Sequence, residues 1–528
     1  MPSLRRTALG LLLVTVALAR PGQVSAQASP TEPFQVVETT IADIHAAFRA
    51  GTLSCRALVQ QYLDRIDAYD KRGPAINALV EVNPAALAVA DSLDAQAARG
   101  GVVRPLHCIP VIVKDNFETI DLPTTAGSLS MAGWIPAQDA TMVRRIRDAG
   151  AIVLAKSNMA EWAFSPYETV SSILPGYTRN PYALNRVTAG SSGGTAAAVA
   201  ANLGEVGLGT DTGNSIRGPS SHLALVGIRS TMGLTSRAGV VPLNSTADIA
   251  GPMARTVADA VAVFNVVVGS DPADSVTVNA DRKREADYRA YLRRGALKGA
   301  RIGVLRQAYE RPSLDPEIQS LFDRSVADMQ AAGATIVADA RIDSLSAIQR
   351  KQQGGCNRFR ADLQRYLAER GANAPVHSVA EVLASRGYHP SVELRLRDAE
   401  KVTEEPEISR GCQTRELVRA ELRTAVNHLM DSLKLDALVY PTWSNPPRLI
   451  GDLNSPAGDN SQLFSPSTGF PAISVPMGYS RDGQLPAGIS FFGRAWSEGK
   501  LISLAFDYEQ VTHHRRPPAI AAALAAHR

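Results

Sequence analysis

Two short clusters in the middle of the chain set serine among glycines: Gly190-Ser191-Ser192-Gly193-Gly194 and Gly213-Asn214-Ser215. Glycine beside a hydroxyl lets main-chain N–H groups turn toward a bound oxygen and lets a substrate approach the backbone. Acyl transfer needs a nucleophile, a base to take its proton and fixed donors for the oxyanion. Three constellations could supply them. Gly190 to Gly194 fits G-x-S-x-G with Ser192 as nucleophile, the pattern of a Ser-His-Asp esterase. That motif requires a buried strand running straight into the serine, and Arg179 to Thr188 does not read as one. A second constellation uses His222 as base, but no acid that would orient its ring can be named. The third joins Lys114, Ser191 and Ser215.

The elements that must position these residues read as strands alternating with helices. Thr40 and Asp43 form a capping-box pattern that opens a helix, and Ser54 caps a longer one. Ile76 to Val82 reads as a strand, and Asn83-Pro84 starts the next helix. Ile109 to Val113 is a buried strand by composition, with Lys114 at its end. Asp139 to Gly150 is helical and Ala151 to Lys156 is the following strand. Ala196 to Asn202, between the serine clusters, is a run of small residues that favours helix and close packing on a sheet. Strands are expected again at Ala300 to Leu305, Thr335 to Ala338, Leu435 to Tyr440, Gly469 to Gly478 and Gly488 to Phe492, with a helix at Leu501 to Val511. The alternation predicts an α/β fold with a mostly parallel central sheet. Residues 342–431 read as a largely helical, variable region.

Composition narrows the function classes. The chain has 528 residues, 45% of them apolar and 20% charged, which are globular values. Net charge is +4, and three of the positive residues (Arg5, Arg6 and Arg20) lie at the N-terminus. The rest is close to neutral and carries no basic run, so no nucleic-acid partner is expected. Arg5-Arg6, the short apolar stretch Ala8 to Ala19 and the small residues Val24-Ser25-Ala26 read as a signal peptide, residues 1–26. The protein is therefore expected in the periplasm or outside the cell, with no stable membrane association. The paired arginines allow a twin-arginine route, although the residues after them match it weakly. Export permits disulfides. Cys356 and Cys412 fall in one helical region and form a candidate bridge, while Cys108, inside an apolar run, reads as a small buried hydrophobe. No cysteine or histidine spacing matches a metal site, and no cofactor is expected.

Several long segments together resemble the amidase signature family. They are Cys108 to Asn116, Ala151 to Trp162, the whole of Ala189 to Thr231, Gly251 to Val257, Gly469 to Pro476 and Leu485 onward. The resemblance spans most of residues 33–528 and implies a single large domain, its mixed, mostly parallel sheet covered by helices on both faces. It implies an amide hydrolase whose partner is a small-molecule amide, with a homodimer among the arrangements expected. The implied nucleophile is Ser215. Ser191, after a cis peptide bond from Gly190, would bridge it to Lys114. Lys114 would be the base, which requires burial to lower it from its ordinary pKa of ~10.4. Asp115 need not oppose that, because neighbours on an extended strand point to opposite faces. The oxyanion donors would be the main-chain N–H groups of Thr212, Gly213, Asn214 and Ser215. Ser192, Thr210, Asp211 and Arg217 would hold the site.

Three positions depart from the family pattern. Asn214 stands in place of a second glycine, Cys108 in place of a glycine, and Gly218 in place of a bulky apolar residue. The Asn214 side chain is expected to narrow the pocket. Trp162, Phe164 and Tyr167 follow a matched motif and are expected, with Asn214, to line the acyl side. A non-catalytic binding protein on the same fold is the competing class, and retention of Lys114, Ser191 and Ser215 together argues against it.

Overall fold

A computed structural model describes residues 34–100, 103–522 and 524. The expected signal peptide lies outside these residues. Eleven strands form one sheet. In chain order they are β1 (Leu79–Val82), β2 (Pro110–Lys114), β3 (Ile152–Ser157), β4 (Val206–Asp211), β5 (Val226–Arg229), β6 (Ile249–Ala254), β7 (Arg301–Val304), β8 (Thr335–Val337), β9 (Ala437–Pro441), β10 (Ala472–Ser480) and β11 (Leu485–Phe492). Their order across the sheet is β1-β3-β2-β4-β6-β5-β10-β11-β9-β7-β8. Strands β2, β3 and β4 are buried along their whole length, which is why they read as unbroken apolar runs and not as alternating ones.

The α/β class is as expected, and the sheet is mixed. Parallel pairing falls in two blocks, β3-β2-β4 and β8-β7-β9. The ladders between those blocks, and the β1 edge, are antiparallel. A mostly parallel centre therefore needs correction. Crossover helices of the kind that make neighbours parallel occur at the flanks, whereas β10 and β11 follow one another through a short turn and must pair antiparallel.

Local signals account for the helices. Thr40 and Asp43 form the reciprocal capping box of Ile41–Arg49. Ser54 Oγ accepts from Ala57 N–H at the start of Cys55–Tyr69. The helix Gly193–Ala200 is buried throughout, and its small residues let it lie against β2 and β4. Between β8 and β9 the chain is helical, ending in the long helix Arg410–Ser432. This segment carries a second, smaller apolar core: Phe359, Leu363, Leu367, Val382 and Leu396 pack around Trp162 and Phe164.

Both cysteine pairs are joined. Cys356 and Cys412 are bridged as expected. Cys108 is not a lone buried hydrophobe, because it pairs with Cys55, the two Cα atoms lying 5.4 Å apart. Cys55 opens a helix whose inner face packs near the start of β2, so two cysteines distant in sequence meet. Among the described residues, no helix is long and apolar enough to cross a membrane.

Candidate active site

The register of the sheet builds the site. Strands β2 and β4 run parallel, with Val113 opposite Leu208. Their C-terminal ends therefore lie side by side and bring Lys114 next to Thr210. Lys114 is fully buried. Its Nζ lies 2.7 Å from Ser191 Oγ and 2.7 Å from Thr210 Oγ1. Asn116, two residues on, donates to the same Thr210 hydroxyl at 3.0 Å. No carboxylate makes an ion pair with this amine among the described residues. Burial brings its pKa down to about 7, although Asp211 and Asp248 at longer range favour the charged form. Asp115 points away, as expected, and pairs at 3.2 Å with another buried lysine, Lys156.

The Gly190–Ser191 peptide bond is cis. A Cβ at position 190 would sit within 2.5 Å of the carbonyl oxygens of Ser165 and Glu168, so only glycine fits there. The two serine clusters are tied together by a bond from Ser192 N–H to the Ser215 carbonyl, 3.3 Å. Ser215 opens onto a cavity of about 540 Å³, whose wall also includes Thr212, Gly213 and Asn214. The main-chain N–H groups of Gly213, Asn214 and Ser215 bond to no other described group. Donors left free beside a hydroxyl at a cavity wall are what an oxyanion requires.

Asp211 fixes the loop that presents these donors. It is fully buried, and its Oδ2 accepts from Ile216 N–H, Arg217 N–H and Arg217 Nε. Arg229 reaches the other oxygen, Oδ1, at 3.0 Å. Burial alone would raise this carboxyl, but Arg217 and Arg229 outweigh it and hold it at about 2. Thr212 is anchored separately, its hydroxyl donating to Asp248 at 2.6 Å. The sequence alone does not single out Asn116, Arg229 or Asp248. Asn116 and Arg229 carry only a general signal there, their places inside matched segments, and Asp248 carries none.

Several expected residues take other parts. Ser192 is fully buried, and its Oγ bonds the main chain of Thr210, so it braces β4 and is not an exposed nucleophile. His222 stacks on Trp443 at 4.6 Å, and burial takes its pKa down to about 3. It serves neither serine as a base. Phe164 and Tyr167 line the cavity. Trp162 does not, because it is 1% exposed and its ring packs edge-on against Phe359 in the smaller core. The Asn214 side chain does not narrow the cavity either. It is buried over Gly218, where an added Cβ would lie 2.7 Å from Asn214 Nδ2 and 3.0 Å from Trp443. The Asn214 amide thus fills the volume that a larger residue at 218 would take.

A family model described as Amidase matches residues 57–502. The chain belongs to the amidase family. This amidase-family chain is 34% identical to a probable amidase of Arabidopsis thaliana, over 96% of each sequence. It is also 34% identical to a glutamyl-tRNA(Gln) amidotransferase subunit from Moorella thermoacetica, over 87% of this chain and 94% of that one. Among solved structures it is similar to the peptide amidase of Stenotrophomonas maltophilia, with a TM-score of 0.82 and 36% identity over 92% of this chain and 99% of that one. It is an amidase-family hydrolase that acts on amides.

Proposed function

We propose that the chain cleaves a carboxylic amide to an acid and an amine or ammonia through an acyl-enzyme on Ser215. Ser215 Oγ attacks the carbonyl carbon, and the N–H groups of the 212–215 loop receive the developing oxyanion. The serine proton passes to Ser191 Oγ, and the Ser191 proton passes to Lys114 Nζ. The same path returns a proton to the amide nitrogen as the C–N bond breaks, and water then releases the acid. The observation that carries this reading is Lys114: a buried amine with no ion pair among the described residues, its pKa brought down to about 7 by burial, in contact with a hydroxyl beside the nucleophile's cluster.

A fluorophosphonate tests it. Covalent labelling at Ser215, lost in Ser215→Ala together with amide turnover, is expected. Labelling at Ser192 would favour the Ser-His-Asp esterase, and no labelling of folded protein would favour a binding protein. The substrate panel should include peptide C-terminal amides, given the likeness to a peptide amidase.

We also propose export to the periplasm or beyond. The basic-apolar leader and the two disulfides support it. Mass spectrometry of mature protein should find the N-terminus near Gln27, and active protein retaining Pro2 would overturn the proposal.

A further inference from the structure

Two walls of different origin enclose the cavity at Ser215. The inner wall is the 212–215 loop. The outer wall comes largely from the helical segment between β8 and β9 and carries three guanidinium groups: Arg395, Arg415 and Arg419. No aspartate or glutamate is among the described lining residues. An anionic wall would be equally soluble, so the one-sided charge calls for a reason.

The three arginines are not equivalent. Arg419 is committed to the fold: its guanidinium bonds the carbonyls of Ser467, Thr246 and Pro466, and the Glu416 carboxylate at 2.8 Å. Arg415 makes one bond, from Nη1 to the Cys356 carbonyl at 3.0 Å, and no ion pair among the described residues. Arg395 likewise uses only Nη1, which donates to the Phe164 carbonyl, while its guanidinium lies 5.8 Å from the Phe164 ring centre. Among the described residues both keep Nε and Nη2 free. Arg415 is also held in place. Arg415 lies one turn beyond Cys412, so the Cys356–Cys412 bridge fixes the backbone that carries it and the carbonyl that it bonds. Burial and the neighbouring Arg419 push the Arg415 pKa down, and a bound anion would offset both effects.

We infer that the acyl part of the substrate carries an anionic group, a carboxylate by preference, at the end remote from the scissile amide, and that Arg415 and Arg395 bind it. This inference rests on the amide-hydrolase reading of Ser215. Planar guanidinium donors match a carboxylate, and held donors lose little freedom on binding it. The amide side chains of Gln349 and Gln352 on the same wall suit polar groups between the two ends.

The test uses two amides of one dipeptide, N-succinyl and N-butyryl, which differ by a carboxylate against a methyl group. Wild-type enzyme should favour the succinyl compound by roughly tenfold or more in kcat/KM, the scale of one charge-assisted contact. Arg415→Gln and Arg395→Gln should each bring the ratio toward one, and Arg415→Glu should reverse it. Because the ratio is read within each variant, a general loss of folding lowers both rates and leaves it unchanged. Protection of Ser215 from fluorophosphonate gives the same ratio if turnover is slow. A wild-type ratio near one, or a ratio that both glutamine variants leave intact, overturns the inference even if Ser215 labels normally. Failure of Ser215 to label removes the reading beneath it instead.

Discussion

At the scale of single residues, Lys114 decides how activity follows pH. The neutral amine is the base, so kcat/KM should rise as pH increases through about 7 and level off above it. Lys114→Met should lower amide turnover by about 10³-fold or more, the order seen when a member of a catalytic triad is removed. Stability should follow pH for a separate reason. The folded pKa lies below the unfolded value of ~10.4, so the unfolded chain binds the extra proton between those values and stability rises with pH across that window. The methionine variant should lose that slope and gain most on wild type at pH 7 and below, as thermal unfolding at several pH values would read. Asp211→Asn is expected to cost more, because it leaves Arg217 and Arg229 buried without their counter-ion. A loss of about 3–5 kcal/mol by denaturant unfolding is the scale for breaking such a pair.

The same residues show what is legible in the sequence. Lys114, Ser191 and Ser215 stand out because each sits in a long matched motif. Asp248 lies outside those motifs, and Arg229, though inside one, shows no local sign of its role, because they reach the 211–217 loop from the turn before β6 and from β5, contacts that exist only once the sheet has formed. Trp162 misleads for a related reason. An aromatic residue after a catalytic motif faces either substrate or core, and its partner Phe359 lies in a segment whose position no local pattern reveals. The pairing of Cys55 with Cys108 is equally hidden, because nothing local joins them.

At the scale of elements, the short helix Arg217–His222 and the chain after β9 are fitted to one another. Trp443 Nε1 donates to the Gly218 carbonyl at 3.1 Å while its ring stacks on His222. Asn214 closes the remaining space. Gly218→Ala should destabilise the protein by about 1–3 kcal/mol, the range for overpacking a filled interior. Asn214→Gly/Gly218→Ala should recover most of that loss, because the incoming methyl then meets no amide. Calorimetry of the two single variants and the double variant measures the coupling, and strictly additive changes would mean that the positions do not share one volume.

At the scale of the whole molecule, the sheet and its site belong to the larger core, while the outer wall rests on both, the helices of Gln349, Arg415 and Arg419 packing on the larger core through Ile348, Val418 and Leu422 and the helix of Arg395 on the smaller one through Leu396. The Cys356–Cys412 bridge fastens the start of the long helix on that wall. Cys356→Ser/Cys412→Ser should lower stability by about 2–4 kcal/mol, and the loss should fall first on the wall. Turnover of large amides should then suffer at temperatures where labelling of Ser215 is still complete.

The division between sheet and helices has a consequence for how the enzyme can change. The lysine and serines that break the bond sit at the sheet, whereas much of the surface that chooses which bond to break is carried by helices between β8 and β9. A lineage could therefore trade one diet for another by rewriting residues 342–431, while the lysine and its two hydroxyls stay untouched beneath.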